Sequence, residues 1–124
     1  MATHVYSITP NPKVRMTRRD TWGNQKVRPA VAKWRAFRDR VQELGLKVLE
    51  GDSVEFVVPM PGSWSAKKRA QMNGTMHRQK PDLDNLLGGL FDAAMPEEDK
   101  ELAALGGLRK VWGTEGQIRL TRKE

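Results

Sequence analysis

Along this chain the spacing of apolar positions changes from block to block, and each change marks an element. In "VYSITP", residues 5–10, β-branched and aromatic residues crowd together before a proline. A first strand is expected there, ended where proline removes the backbone donor. Residues 11–29, "NPKVRMTRRDTWGNQKVRP", have no apolar period but contain prolines, a glycine and many cations, which predicts a long basic loop. From Ala30 to Leu46 the rhythm becomes helical: Trp34, Phe37, Val41 and Leu44 recur at steps of three and four, with Lys33, Arg35, Arg38 and Arg40 between them. Gly45 stands where such a helix should stop.

"SVEFVVPM", residues 53–60, reads as a buried strand closed by Pro59 and Pro61. "SWSAKKRAQMNG" then predicts a short helix capped by Ser65 and released at Gly74. Pro81 disfavours helical geometry at Lys80, so the chain should enter "DLDN" extended and turn helical at about Asp84 or Asn85. Leu86, Leu87, Leu90, Phe91 and Ala94 supply that helix with an apolar face. Gly88 and Gly89 interrupt it, at a cost of roughly 1 kcal/mol each relative to alanine, so either another backbone packs closely there or the helix frays. Pro96 ends it. "LRKVWG" and "GQIRLTR", flanking "GTEG", predict a closing hairpin.

A length of 124 residues, 38% of them hydrophobic, supports one domain over 1–124 with a real core. The absence of cysteine excludes disulfides, thiolate zinc sites and cysteine nucleophiles. Apolar runs fall short of a membrane span and "MATHVYSITP" lacks the character of a secretory signal, so a soluble intracellular protein is expected. A net charge of +7 favours a polyanionic partner. Its distribution says more: residues 1–81 carry 16 Lys/Arg against 6 Asp/Glu, and residues 82–124 carry 6 against 9. Carboxylates beside a phosphate-binding surface repel the ligand, unless a cation reverses the sign.

The boundary falls at Asp82 and Asp84. In an extended segment, residues two apart project to the same side, so both carboxylates can address one point. Mg²⁺ takes oxygen ligands, commonly one or two carboxylates completed by water and substrate phosphate. The alternative is that Asp84 caps the helix and Asp82 favours its dipole without any metal; spacing alone leaves both open. "PEEDKEL", residues 96–102, brings Glu97, Glu98, Asp99 and Glu101, either as a solvated turn or, folded back, as the source of a third carboxylate. A calcium loop starting at Asp82 fails at Leu86, Leu87 and Ala93, and His4 and His77 are too isolated for zinc.

Two basic clusters are interleaved with aromatic or apolar side chains: Lys13, Arg15, Arg18 and Arg19 with Met16 and Trp22, and Lys67, Lys68 and Arg69 beside Trp64. Such clusters suit DNA-backbone contact with base stacking, the alternative being that Trp64 packs under its loop and the charges aid solubility. Arg78 and Lys80 immediately precede the aspartates, where they could hold the phosphate next to the one cut.

"KPDLDNL", the helix with Phe91-Asp92-Ala93, and Glu98-Asp99-Lys100-Glu101-Leu102 resemble the RusA family of Holliday junction resolvases. "ITPNPKVRMTRRDTW", "KWRAFRDRV", "MPGSWSAKKRAQMNG" and "KVWGTEG" resemble versions carried by phages and prophages. The resemblance implies a small α/β (α+β) domain with a mixed sheet of about four strands and two main helices, working as a homodimer in the bacterial cytoplasm. It implies Mg²⁺-dependent nicking of two opposing strands of a four-way DNA junction in recombination and repair, with Mn²⁺ able to substitute and no small-molecule cofactor. Asp82 and Asp84 match the family's paired aspartates and Asp99 the second member of its later acidic pair, with Glu98 where aspartate is usual. Asp82, Asp84 and Asp99 are therefore the expected catalytic residues, and Glu98 a further metal ligand. The family's helix lysine has no counterpart here, its position being Gly88. Either another cation, such as Lys80 or Lys100, substitutes, or the chain is a slow or inactive junction-binding protein.

Overall fold

The computed structural model describes residues 2–14, 28–94 and 103–122. Its elements, in chain order, are β1 (Ala2–Tyr6), α1 (Pro29–Leu44), β2 (Ser53–Pro59), α2 (Ala66–Met72), α3 (Leu83–Ala94), β3 (Gly107–Gly113) and β4 (Gln117–Arg122). The strands form one mixed sheet in the order β1-β4-β2-β3, in agreement with the expected small α+β domain.

β2 is the most apolar strand and lies in the interior of the sheet, antiparallel to β4 and parallel to β3. Val54 and Phe56 share a face with Leu120 and Ile118 opposite them, and all four are buried. Against this face α1 lays Trp34, Phe37 and Val41, and α3 lays Leu86, Leu90 and Ala93. Each fully buried leucine contributes about 1.5–3 kcal/mol. α1 begins on Pro29, whose fixed φ suits the first turn, and ends at Gly45 with φ 67° and ψ 25°, a left-handed conformation in which its N–H donates to the Gln42 carbonyl at 3.1 Å.

The closing hairpin is not formed. β3 and β4 are connected through Thr114–Gly116, but β2 lies between them in the sheet. The short connection crosses the end of β2, where a Cβ on Gly113 would strike Val57 and one on Gly116 would strike Thr9. Turn-like "GTEG" therefore reflects a steric crossing, which local sequence cannot distinguish from a hairpin turn. The first strand is also displaced, spanning Ala2–Tyr6 rather than 5–10: each of its residues pairs with β4, and beyond it the Ile8 N–H donates to the Tyr6 carbonyl at 2.9 Å, turning Ile8 into the core.

A buried ion pair fixes the entry to β2. Asp52, 1% exposed, accepts from the Leu49 N–H at 2.8 Å and from Arg122 Nε at 3.0 Å, while Arg122 Nη2 donates to the Lys47 carbonyl at 2.6 Å. No helix among the described residues is long and apolar enough to cross a membrane.

Candidate functional site

Residues 74–77 carry the chain toward the aspartates along the free edge of β3. Gly74 N–H donates to the Trp112 carbonyl at 2.8 Å, Trp112 N–H to Thr75 at 3.0 Å, and His77 N–H to the Lys110 carbonyl at 3.0 Å. His77 is buried, and its ring lies on Trp112 with centroids 3.9 Å apart. Its Nδ1 accepts from the Gln79 N–H at 3.3 Å, which fixes the neutral tautomer with the proton on Nε2. Burial, and then the nearby Lys110 ammonium, push its pKa below the ordinary 6.5.

Lys110 itself points to the helix-packed face, in line with Leu108 and Trp112. Its ammonium donates to the carbonyls of Gln79 and Pro81, holding the backbone directly before Asp82. Sequence reasoning missed this residue. The available signal was a lysine placed two residues from Leu108 and from Trp112, at an inward position of a strand.

The helix starts one residue earlier than expected, at Leu83, and the Asp82 carbonyl accepts its first hydrogen bond from Leu86 N–H at 3.1 Å. Leu83 packs on the core, which draws the start to it, while the constraint from Pro81 stops at Lys80. Asp82 thus stands at the helix cap and Asp84 in its first turn, so they are not two positions of an extended strand. Nor does Asp84 occupy the cap. Both carboxylates are exposed, and among the described residues neither accepts a hydrogen bond or joins an ion pair. That leaves their oxygens open to a hard cation or to solvent.

On its other side α3 is crossed by residues 11–14. Lys13 N–H donates to the Asn85 carbonyl at 2.8 Å, and a Cβ on Gly89 would overlap the Asn11 carbonyl oxygen and lie 2.9 Å from Lys13 N. Close backbone packing, not fraying, explains the second glycine. At Gly88 the neighbour is the stem of Lys13, whose Cδ lies 3.2 Å from where a Cβ would be. The Lys13 ammonium rests 3.6 Å from Asp92 Oδ2.

The expected DNA contacts divide. Lys67, Lys68, Arg78 and Lys80 are exposed, but Arg69 donates to the Pro61 carbonyl at 3.1 Å and is engaged in holding its own loop. Trp64 packs against Trp112 at 4.7 Å with the Lys68 ammonium over it at 4.3 Å, the packing alternative rather than a projecting wedge. Arg15, Arg18, Arg19, Met16 and Trp22 lie outside the described residues, as do Glu97, Glu98, Asp99, Lys100 and Glu101. Among the described residues no three His, Cys, Asp or Glu side chains converge on a metal position. A concavity of about 530 Å³ lies on the open face of the sheet between Glu55, Arg109 and Arg119, and its lining includes neither aspartate. Glu55 is paired there with both arginines.

The donor set at the head of α3 suits a hard divalent cation, since two exposed carboxylates supply oxygen and leave space for water and phosphate. A family model described as endodeoxyribonuclease RusA matches residues 6–121. A comparison with curated proteins found no match.

Proposed function

The chain belongs to the RusA family of endodeoxyribonucleases, and from that premise we propose that it hydrolyses phosphodiesters at four-way DNA junctions with Asp82 and Asp84 as its metal-holding carboxylates. The observation that carries this reading is the pair itself. Both carboxylates are exposed and unpartnered among the described residues, on a helix start fixed from one side by Lys110 and from the other by residues 11–14. A merely structural pair would be expected to accept capping hydrogen bonds in its side chains or to join an ion pair.

Mg²⁺, with Mn²⁺ able to replace it, supplies Lewis acidity at the phosphate and an acidified water. Asp82 and Asp84 hold it, with Asp99 and Glu98 completing the set. Arg78 and Lys80, exposed just before the aspartates, bind phosphates of the strand to be cut, and Lys67 and Lys68 bind an arm of the junction. In the reaction an oxygen of water bonds to phosphorus, one phosphorus–oxygen ester bond breaks, and the departing oxygen gains a proton. A two-fold homodimer presents two such sites to strands related by the same symmetry, so junction shape selects the substrate.

A labelled synthetic four-way junction incubated with the protein in Mg²⁺ and in EDTA tests this reading. Paired nicks in Mg²⁺ alone are expected, with Asp82→Asn binding the junction but leaving it whole. Binding in both conditions with no cutting in Mg²⁺ or Mn²⁺ would make the chain a junction-binding protein instead.

A further inference from the structure

Asp84, Gly88 and Asp92 succeed one another at four-residue steps and so share one face of α3, each separated from the next by roughly 6 Å of axial rise. The Lys13 stem lies over the middle position, with its Cβ, Cγ and Cδ all within 4 Å of the Cβ that Gly88 lacks. Its backbone is anchored by the donation to Asn85 at 2.8 Å, whereas among the described residues its ammonium has Asp92, at 3.6 Å, as its ion-pair partner. The two side chains of that pair are 56% and 39% exposed, and ion pairs this exposed contribute about 0–1 kcal/mol. The stem is therefore fixed at its root and loosely held at its tip.

We infer that Lys13 is the cation of the catalytic face, resting on Asp92 in the free protein and swinging along the helix to the phosphate engaged at Asp82 and Asp84 when DNA binds. This rests on the nuclease reading above and adds a residue to that site. Glycine at 88 is what lets the stem lie flat against the helix; a side chain there would lift it away. The swing is favoured because a phosphate beside the aspartates offers the ammonium a charge-assisted hydrogen bond, while the exposed ion pair it gives up contributes little. Arg78 and Lys80 precede the aspartates on the chain, whereas Lys13 approaches from the opposite, helix-crossing side.

The geometry provides its own test, because a lysine at position 88 would place an ammonium from the helix itself over the same face. Junction cleavage in Mg²⁺ and junction affinity in EDTA are measured for the wild type, Lys13→Ala, the Lys13→Ala/Gly88→Lys double variant and Asp92→Asn. Lys13→Ala should slow cleavage by about a hundredfold, as expected for loss of one group stabilising transition-state charge, while affinity stays within about threefold. The double variant should recover most of that loss, and Asp92→Asn should cut at least as fast as the wild type. Cleavage by Lys13→Ala at the wild-type rate, affinity falling in proportion to cleavage, a folded double variant no faster than Lys13→Ala, or an Asp92→Asn variant as slow as Lys13→Ala would each overturn the assignment. A wild type that cuts no junction overturns the nuclease reading and this assignment together, a result distinct from the others.

Discussion

Replacing each of the adjacent glycines of α3 by alanine should shift stability in opposite directions. In a bare helix both changes would stabilise by about 1 kcal/mol, since alanine has the best helix propensity and glycine nearly the worst. At Gly88 the added methyl group meets the Cδ of Lys13 at 3.2 Å, the flexible part of a half-exposed side chain that can give way. Gly88→Ala should therefore retain most of the helix gain, about 0.5–1 kcal/mol. At Gly89 the obstacles are backbone: the Asn11 carbonyl oxygen overlaps the new atom, and Lys13 N and the Pro12 carbonyl carbon lie 2.9 and 3.0 Å from it. Residues 11–13 must move away, at an overpacking cost of about 1–3 kcal/mol, and the Lys13 to Asn85 hydrogen bond, worth about 1 kcal/mol, is strained or lost. Less the helix gain, Gly89→Ala should lose about 1–3 kcal/mol. Urea denaturation of the two variants reads this difference directly. A Gly89→Ala variant as stable as Gly88→Ala would refute the close crossing of residues 11–14 over the helix, and with it the placement of Lys13.

Asp52→Ala should destabilise the protein by about 3–5 kcal/mol, because it leaves the Arg122 guanidinium without its buried partner; a urea-measured loss under about 1 kcal/mol would show that the pair is solvated. His77 is held neutral, its folded pKa lying below 6.5, so its contribution is complete above 6.5 and is lost as pH falls through the folded value. The stability advantage of wild type over His77→Asn should shrink on acidification, and thermal melts in which it grows would contradict the neutral tautomer. Lys110→Met removes the charge-assisted bonds to Gln79 and Pro81 and should cost about 1.5–3 kcal/mol by denaturant titration. An unchanged midpoint would remove Lys110 from the support of the aspartate segment.

Where burial follows a local period, the sequence is a direct guide. Trp34, Phe37 and Val41 repeat at helical spacing and α1 buries all three together with Val31, while Leu44, the fourth position of that spacing, is half-buried. The Ser65 cap is equally local, its hydroxyl accepting from Lys68 N–H at 3.2 Å. What escapes is long-range pairing. Nothing within residues 108–122 says that β2 will insert between the last two strands, because that choice is made by residues 53–57 more than fifty positions away. The candidate pair, Asp82 and Asp84, stands out in the sequence because both carboxylates lie within one short segment. Their supports do not: Lys110 reaches from β3 to the carbonyls of Gln79 and Pro81 just before them, and Lys13, at the start of the basic loop, crosses α3. The double glycine did signal a close backbone approach, but it could not name the segment that makes it.

The central proposition is that Asp82 and Asp84 together hold a divalent cation, and titration with Mn²⁺ followed by loss of the free-ion paramagnetic resonance signal measures that without reference to cutting. The wild type is expected to take up the ion, and the Asp82→Asn/Asp84→Asn variant, with an unaltered circular dichroism spectrum, to bind it at least about tenfold more weakly, a loss of 1.4 kcal/mol or more. Equal affinity in the two proteins would contradict the account.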